Sequence, residues 1–249
     1  DKAVQLIRGK KGTEVRLTVK KIDGAIDIIP IIRDVVVIEE TYAKSAIIKD
    51  KSSDKKYGFI RLPSFYADFN KGTGRNASGD VKKILEEFNE REVDGVLIDL
   101  RSNGGGSLQD VVDMGGFFIE KGPIVQVKSR IGNPYMLKDE DADVLFDGPL
   151  TIFVNSYSAS ASEILAAAMQ DYNRAFIVGD SKSTFGKGTV QRFFDLDQLA
   201  RGVDKKYKPL GAVKITIQKF YRINGGATQL KGVEPDVILP DNFTYMKVG

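Results

Sequence analysis

The sequence predicts an α/β fold. Short β-type runs alternate with helical periodicity from Tyr57 onward, as they do where helices cover a sheet. Residues 95–100 are apolar apart from one Asp, the mark of a strand buried on both faces. Two strand-to-helix junctions carry loops rich in small residues, which let a backbone approach a ligand closely. The length of 249 residues suits one large domain or one domain plus a small one, and 42% hydrophobic content can fill a core.

Residues 1–9 read as the end of an amphipathic helix, with Val4, Leu6 and Ile7 apolar and Gly9 as its stop. A strand opens at Gly12 and Thr13, where Val15, Leu17 and Val19 alternate with Glu14, Arg16 and Thr18. A second β-rich run covers 26–38. These pieces are too small to bury a core alone and read as the tail of a small domain. Residues 57–62 form a strand. Residues 78–91 form a helix with Val81, Ile84, Leu85 and Phe88 at helical spacing and Ser78 as its cap. The strand 95–100, a helix at 107–119 and a strand at 124–127 follow. Next come a strand at 150–154, a helix at 160–172 and a strand at 175–178. Runs at 189–194, 212–221 and 237–239 add more β structure.

Composition removes several chemistries. The chain has no His and no Cys, which excludes imidazole triads, thiol nucleophiles, disulfides and His- or Cys-ligated metals. Any enzyme built from this chain at neutral pH must move protons with Lys, Asp, Glu or Tyr. A net charge of +3 is too balanced to predict nucleic-acid binding, and the mixed runs at 49–56 and 204–208 read as solvated loops. The most apolar stretch, 25–38, is broken by Asp27, Pro30, Arg33 and Asp34, so no membrane span is expected. No signal-peptide pattern is visible. No cofactor and no metal ion are expected.

The first junction runs Asp99-Leu100-Arg101-Ser102-Asn103-Gly104-Gly105-Gly106-Ser107. It fails as a dinucleotide fingerprint, because Gln109 or Asp110 stands where the last Gly should be. It reads either as a tight turn or as a ligand-facing loop at a helix start. In the second junction, Ser160 followed by Glu163 is a capping-box pattern. The same Ser, beside free N–H donors at a helix start, is also a candidate nucleophile. The candidate base is Lys187, within Thr184-Phe185-Gly186-Lys187-Gly188-Thr189-Val190-Gln191. That segment is no Walker A loop, since Gly188 stands where Ser or Thr must hold magnesium. A Lys acts as a base only when burial depresses its pKa; otherwise it is an exposed turn residue.

Taken together, the motifs are specific. Residues 158–164 (Ser-Ala-Ser-Ala-Ser-Glu-Ile), Met169-Gln170-Asp171, Arg174-Ala175, Gly179 and the Lys187 segment resemble the carboxyl-terminal processing (tail-specific) serine proteases. So do the glycine loop, Ile217-Gln218-Lys219-Phe220-Tyr221-Arg222 and Lys231-Gly232-Val233-Glu234-Pro235-Asp236. The Met-Gln-Asp and Gln-Lys-Phe-Tyr-Arg details are similar to the bacterial tail-specific branch, and the similarity spans most of 57–240.

The resemblance implies Ser160 as nucleophile, Lys187 as general base and Gln191 as the residue that holds the Lys. It implies oxyanion donors at the N–H groups of Ala161 and Gly106. It implies a crotonase-like protease core at 34–249, preceded at 1–33 by the C-terminal part of a PDZ-like domain. Polypeptides with exposed C-terminal tails would be the substrates, and the periplasm or cell envelope the location. The segment 180–184 is longer than the family spacing between Ser and Lys and reads as a loop bulge. Asp171 lies eleven residues along one helix from Ser160, about 16 Å, so it reads as a support for Arg174 or a neighbouring loop. Two other readings stay open: an inactive peptide-binding relative, and a crotonase-like acyl-CoA enzyme using the glycine loop.

Overall fold

The computed structural model describes residues 2–34, 39–67, 74–200 and 202–240. The chain divides into two compact units, Asp1–Glu39 and Glu40–Gly249. The first unit holds helix α1 (Lys2–Ile7) and strands β1 (Glu14–Lys20) and β2 (Ile26–Ile32). The two strands pair antiparallel from Glu14↔Ile32 to Lys20↔Ile26. Arg33 fastens the helix to the hairpin. Its guanidinium donates to the carbonyls of Leu6 and Ile7 at 3.1 and 2.8 Å and to Thr13 Oγ1 at 2.9 Å, satisfying carbonyls that a helix end leaves open. No described residue of this unit is buried. The β-rich run at 26–38 is a strand as far as Ile32, and its residues 35–38 lie outside the described residues.

The second unit is mixed α/β. Its six-stranded sheet is built from β3 (Lys44–Lys49), β4 (Lys56–Arg61), β5 (Gly95–Asp99), β8 (Leu150–Val154), β9 (Phe176–Gly179) and β12 (Val237–Ile238). The spatial order is β12-β9-β8-β5-β4-β3, parallel throughout except for β3 at one edge. A second, antiparallel sheet has the order β10-β11-β6-β7, from β6 (Gly122–Ser129), β7 (Tyr135–Asp139), β10 (Thr189–Asp195) and β11 (Ala212–Tyr221). Three helices, α2 (Ala77–Glu90), α3 (Leu108–Gly116) and α4 (Ala161–Asp171), form a layer between them. Helix α3 packs on α2 and α4, α4 touches β8 and β9, and both α3 and α4 touch β6. The short helix α5 (Leu196–Leu199) lies against β10 and β11. Ile60, Ile98, Ile152, Leu85, Met114, Phe118, Leu165 and Met169 are fully buried in this core. No described helix is long and apolar enough to cross a membrane.

Three features differ from the sequence reading. Helix α2 starts one residue early, with Asn76 and not Ser78 at its N-cap position and no side-chain capping bond from Asn76. Ser78 instead sits in the first turn, where its N–H and hydroxyl both donate to buried Asp110 Oδ1 at 2.9 Å. Strands β3 and β7 were not expected. They are exposed edge strands, with no fully buried residue to give the alternation a sharp signal. The mixed run at 49–56 is accordingly a turn between two paired strands, with its register closing at Lys49↔Lys56.

Parallel strands β5 and β8 end side by side, so the loops that follow them meet at the carboxyl edge of the sheet. Ligands in open α/β sheets bind at that edge. Both loops singled out in the sequence lie there.

Candidate active site

The glycine loop leaves β5 under tight control. Buried Asp99 accepts two bonds from the Arg101 guanidinium, at 2.9 and 2.7 Å, and one from the Arg101 N–H at 3.0 Å. Asn103, fully buried, donates from Nδ2 to Leu62 O at 2.8 Å and accepts the Gly105 N–H at 2.9 Å. Gly105 and Gly106 adopt φ of +100° and +147°, open to glycine and costly for other residues. Close packing reinforces the requirement. A Cβ on Gly106 would lie 2.1 Å from Phe65 O, and one on Gly105 would lie 2.7 Å from Ser160 Cβ.

The second loop is stitched to the first. Ala159 N–H and Ser162 Oγ both donate to Asn103 O at 2.9 Å, and Ser158 Oγ donates to Leu100 O at 2.9 Å. Ser160 then opens α4 with φ 59° and ψ −112°. A non-glycine residue holds such a conformation only where its surroundings enforce it, and such strain gathers at functional sites. Ala161 is the first helical residue, so its N–H has no partner within the helix. Across the cavity the Gly105 N–H is taken by Asn103 and the Ser107 N–H by Phe65 O. The Gly106 N–H donates to none of the described residues. The N–H groups of Ala161 and Gly106 are thus uncommitted among the described residues, as is that of Gly104, which also lines the cavity.

Glu163 links Ser160 to the lysine loop. Its carboxylate is fully buried and accepts four hydrogen bonds. Oε2 takes the Ser160 and Lys187 N–H groups at 2.8 and 3.0 Å, while Oε1 takes Thr184 Oγ1 and the Gly186 N–H at 2.6 and 2.7 Å. The sequence pattern marked this residue only as a capping-box member. It makes the helix-capping bond to Ser160 N–H, and it spends its remaining acceptor capacity on a segment twenty-odd residues away. The four donors satisfy both oxygens of this buried carboxylate.

The lysine loop is braced from its other side too. Thr228 Oγ1 donates to Lys187 O at 3.0 Å, and the Leu230 N–H to Gly186 O at 2.7 Å. Gly188 N–H donates to Gln229 Oε1 at 2.8 Å. The segment at 180–184 turns on itself, Ser181 Oγ donating to Ser183 O at 3.0 Å. At Thr184 it is held to the segment before β12, the Thr184 N–H donating to Val233 O at 3.1 Å.

Ser160, Ala161, Gly106, Lys187 and Gln191 all line one cavity of about 390 Å³. Leu108, Ile164, Val190, Phe193 and Phe220 supply its apolar walls, and Lys214 adds a second cation. Burial, and secondarily the Lys214 charge, hold the Lys187 ammonium below its ordinary value of 10.5, against the opposing pull of Glu163. Glu163, Phe193, Phe220 and Lys214 were not singled out as site residues. The last three reach the cavity through pairing of β10 with β11, which no local motif announces. Asp171 lies apart. It pairs with Arg222 at 2.6 and 3.1 Å and with Asn224 at 2.8 Å, while Arg174 turns away to Phe118 O and Phe146 O. Of the two partners expected for Asp171, the neighbouring loop is therefore the right one.

Comparison with known proteins bears on the family of the chain. The family model described as Peptidase family S41 matches residues 56–239. A tail-specific protease of Haemophilus influenzae is 44% identical over 99% of this chain, which covers 33% of that relative. A carboxyl-terminal-processing protease of Picosynechococcus sp. is 33% identical over 96% of this chain, which covers 52% of it. The chain thus spans a third to about half the length of these relatives. Among solved structures, a photosystem II D1 C-terminal processing protease superposes with a TM-score of 0.64 at 24% identity, over 93% of this chain and 57% of that one. At that identity the superposition speaks to the fold.

Proposed function

The chain belongs to peptidase family S41, and from that premise we propose that it carries the cutting machinery of a serine endopeptidase with a Ser–Lys dyad. The observation that carries the reading is one cavity lined by a strained Ser160, a half-buried Lys187 and the uncommitted N–H groups of Ala161 and Gly106. Neutral Lys187 takes the Ser160 proton as Oγ attacks the scissile carbonyl. Charge develops on the carbonyl oxygen and is held by the Ala161 and Gly106 N–H groups, with the positive end of α4 behind Ala161. The protonated Lys187 then gives its proton to the leaving amine. Water, deprotonated by the same amine, hydrolyses the Ser160 ester and releases the enzyme. Gln191, on β10 four residues past Lys187, is the residue that steadies the amine.

The same reading extends to the rest of the chain. The core is of the crotonase type, and residues 1–33 are the C-terminal part of a PDZ-like domain ahead of a catalytic domain at 34–249. Polypeptide substrates are selected through their C-terminal tails, as the names of the tail-specific and carboxyl-terminal-processing relatives suggest, and the proposed location is the periplasm or cell envelope. An added tail strand would pair with a sheet edge. Ser160→Ala tests the chemistry. Hydrolysis of an unstructured polypeptide should fall by about three orders of magnitude or more while the unfolding transition stays near that of the native chain. Undiminished hydrolysis would remove Ser160 as nucleophile.

A further inference from the structure

We infer that Lys214 is a specificity-determining residue: it holds the carboxylate of an acidic substrate side chain that enters the Ser160 cavity. The inference deepens the proposed peptidase reading and rests on it. The antiparallel register sets Lys214 on β11 directly opposite Phe193 on β10, and both line the cavity. The Lys214 ammonium sits 5.3 Å from the Phe193 ring centre, so the aromatic face fixes where the charge is presented. Among the described residues Lys214 forms no ion pair.

The charges around the cavity point the same way. Its lining holds two cations, Lys187 and Lys214, and no carboxylate. The nearby acid, Glu163, lies behind the wall with both oxygens already taken by four donors. Lys187 must be neutral to act as base, which leaves Lys214 as the fixed positive charge facing a bound peptide. Lys214 is solvent-exposed at the cavity wall, where Phe193 is also exposed, so its charge is accessible to a bound peptide and open to screening by salt. A Glu side chain brings the complementary charge on an aliphatic stem, and a Gln brings the same shape without it.

The test uses fluorogenic peptides that differ only by Glu or Gln, placed in turn at each position flanking the scissile bond. The readout is the Glu/Gln ratio of kcat/KM. At one position the native chain should favour Glu by about three- to fivefold at low salt, with the preference shrinking as salt rises. Lys214→Gln should bring the ratio to unity, and Lys214→Glu should invert it. A ratio of unity at every position in the native chain, or one unchanged in Lys214→Gln, overturns the inference. Binding of the same peptides to Ser160→Ala separates the two levels. Glu-selective binding without turnover by the native chain would sink the peptidase reading and uphold the Lys214 site. Turnover without Glu selectivity would sink the Lys214 site alone. Neither turnover nor selective binding would sink both.

Discussion

Glu163 has two parts to play with one carboxylate. It caps α4 through Ser160, as its spacing predicts, and it also anchors the Thr184–Lys187 turn by three further bonds. The backbones of Ser160 and Lys187, the proposed nucleophile and base, are thereby tied to the same carboxylate. Replacing it by Gln keeps the shape but turns an NH2 group toward backbone N–H donors. Glu163→Gln should therefore cost about 1–3 kcal/mol in urea unfolding and slow acylation of Ser160 more than it weakens substrate binding. Loss of stability with unaltered acylation would reduce Glu163 to a cap. Ser160, Lys187, Gln191, Ala161 and Gly106 could be named from short local motifs, and the structure brings all five to one cavity. Glu163's second set of bonds could not be, because its partners are distant in sequence. Lys214 was hidden for a related reason: an exposed Lys in an alternating strand looks like any solvated residue until the pairing partner is known.

At the level of elements, the glycine loop and the Ser160 loop form one braced unit through Asn103, whose carbonyl serves both Ala159 and Ser162. The far end of α4 is fixed differently. Asp171 and Arg222 form an ion pair with side chains 9% and 18% exposed, joining the helix to the turn after β11. Because the pair is largely desolvated, removing one member strands the other. Arg222→Met should lower stability by about 3–5 kcal/mol in denaturant unfolding, while the pH profile of the folded fraction stays that of the native chain. A displaced profile would instead connect this pair to the proton chemistry of Lys187. Distance along the helix made the separation of Asp171 from Ser160 legible. The partner was ambiguous because Arg174 is its near neighbour on the chain, yet Arg174 spends its donors on the carbonyls of Phe118 and Phe146.

On the scale of the whole molecule, the alternation of strand and helix identified the α/β core and all three of its large helices. It did not separate the two sheets. Strand β11 joins β6 across about ninety residues, so the union of the β6–β7 and β10–β11 pairs into one sheet depends on tertiary contacts and not on local pattern. That second sheet is consequential, since it supplies Gln191, Phe193, Lys214 and Phe220 to the cavity, while the parallel sheet supplies the loops of Ser160 and Gly106. The absence of His and Cys fits the proposed chemistry, in which the base is the Lys187 amine, carried on the turn that leads into the second sheet and held below its ordinary pKa by burial. Since the neutral amine is the active form, activity should be gained as pH rises through the folded-state value of Lys187. The most direct measurement is the rate at which a fluorophosphonate labels Ser160, followed against pH by mass spectrometry in the native chain and in Lys187→Arg. The account predicts a single adduct on Ser160, a rate that climbs with pH to a midpoint below the ordinary 10.5 of Lys, and loss of that limb in Lys187→Arg. A flat profile in the native chain, or the same limb in the Arg variant, would contradict it.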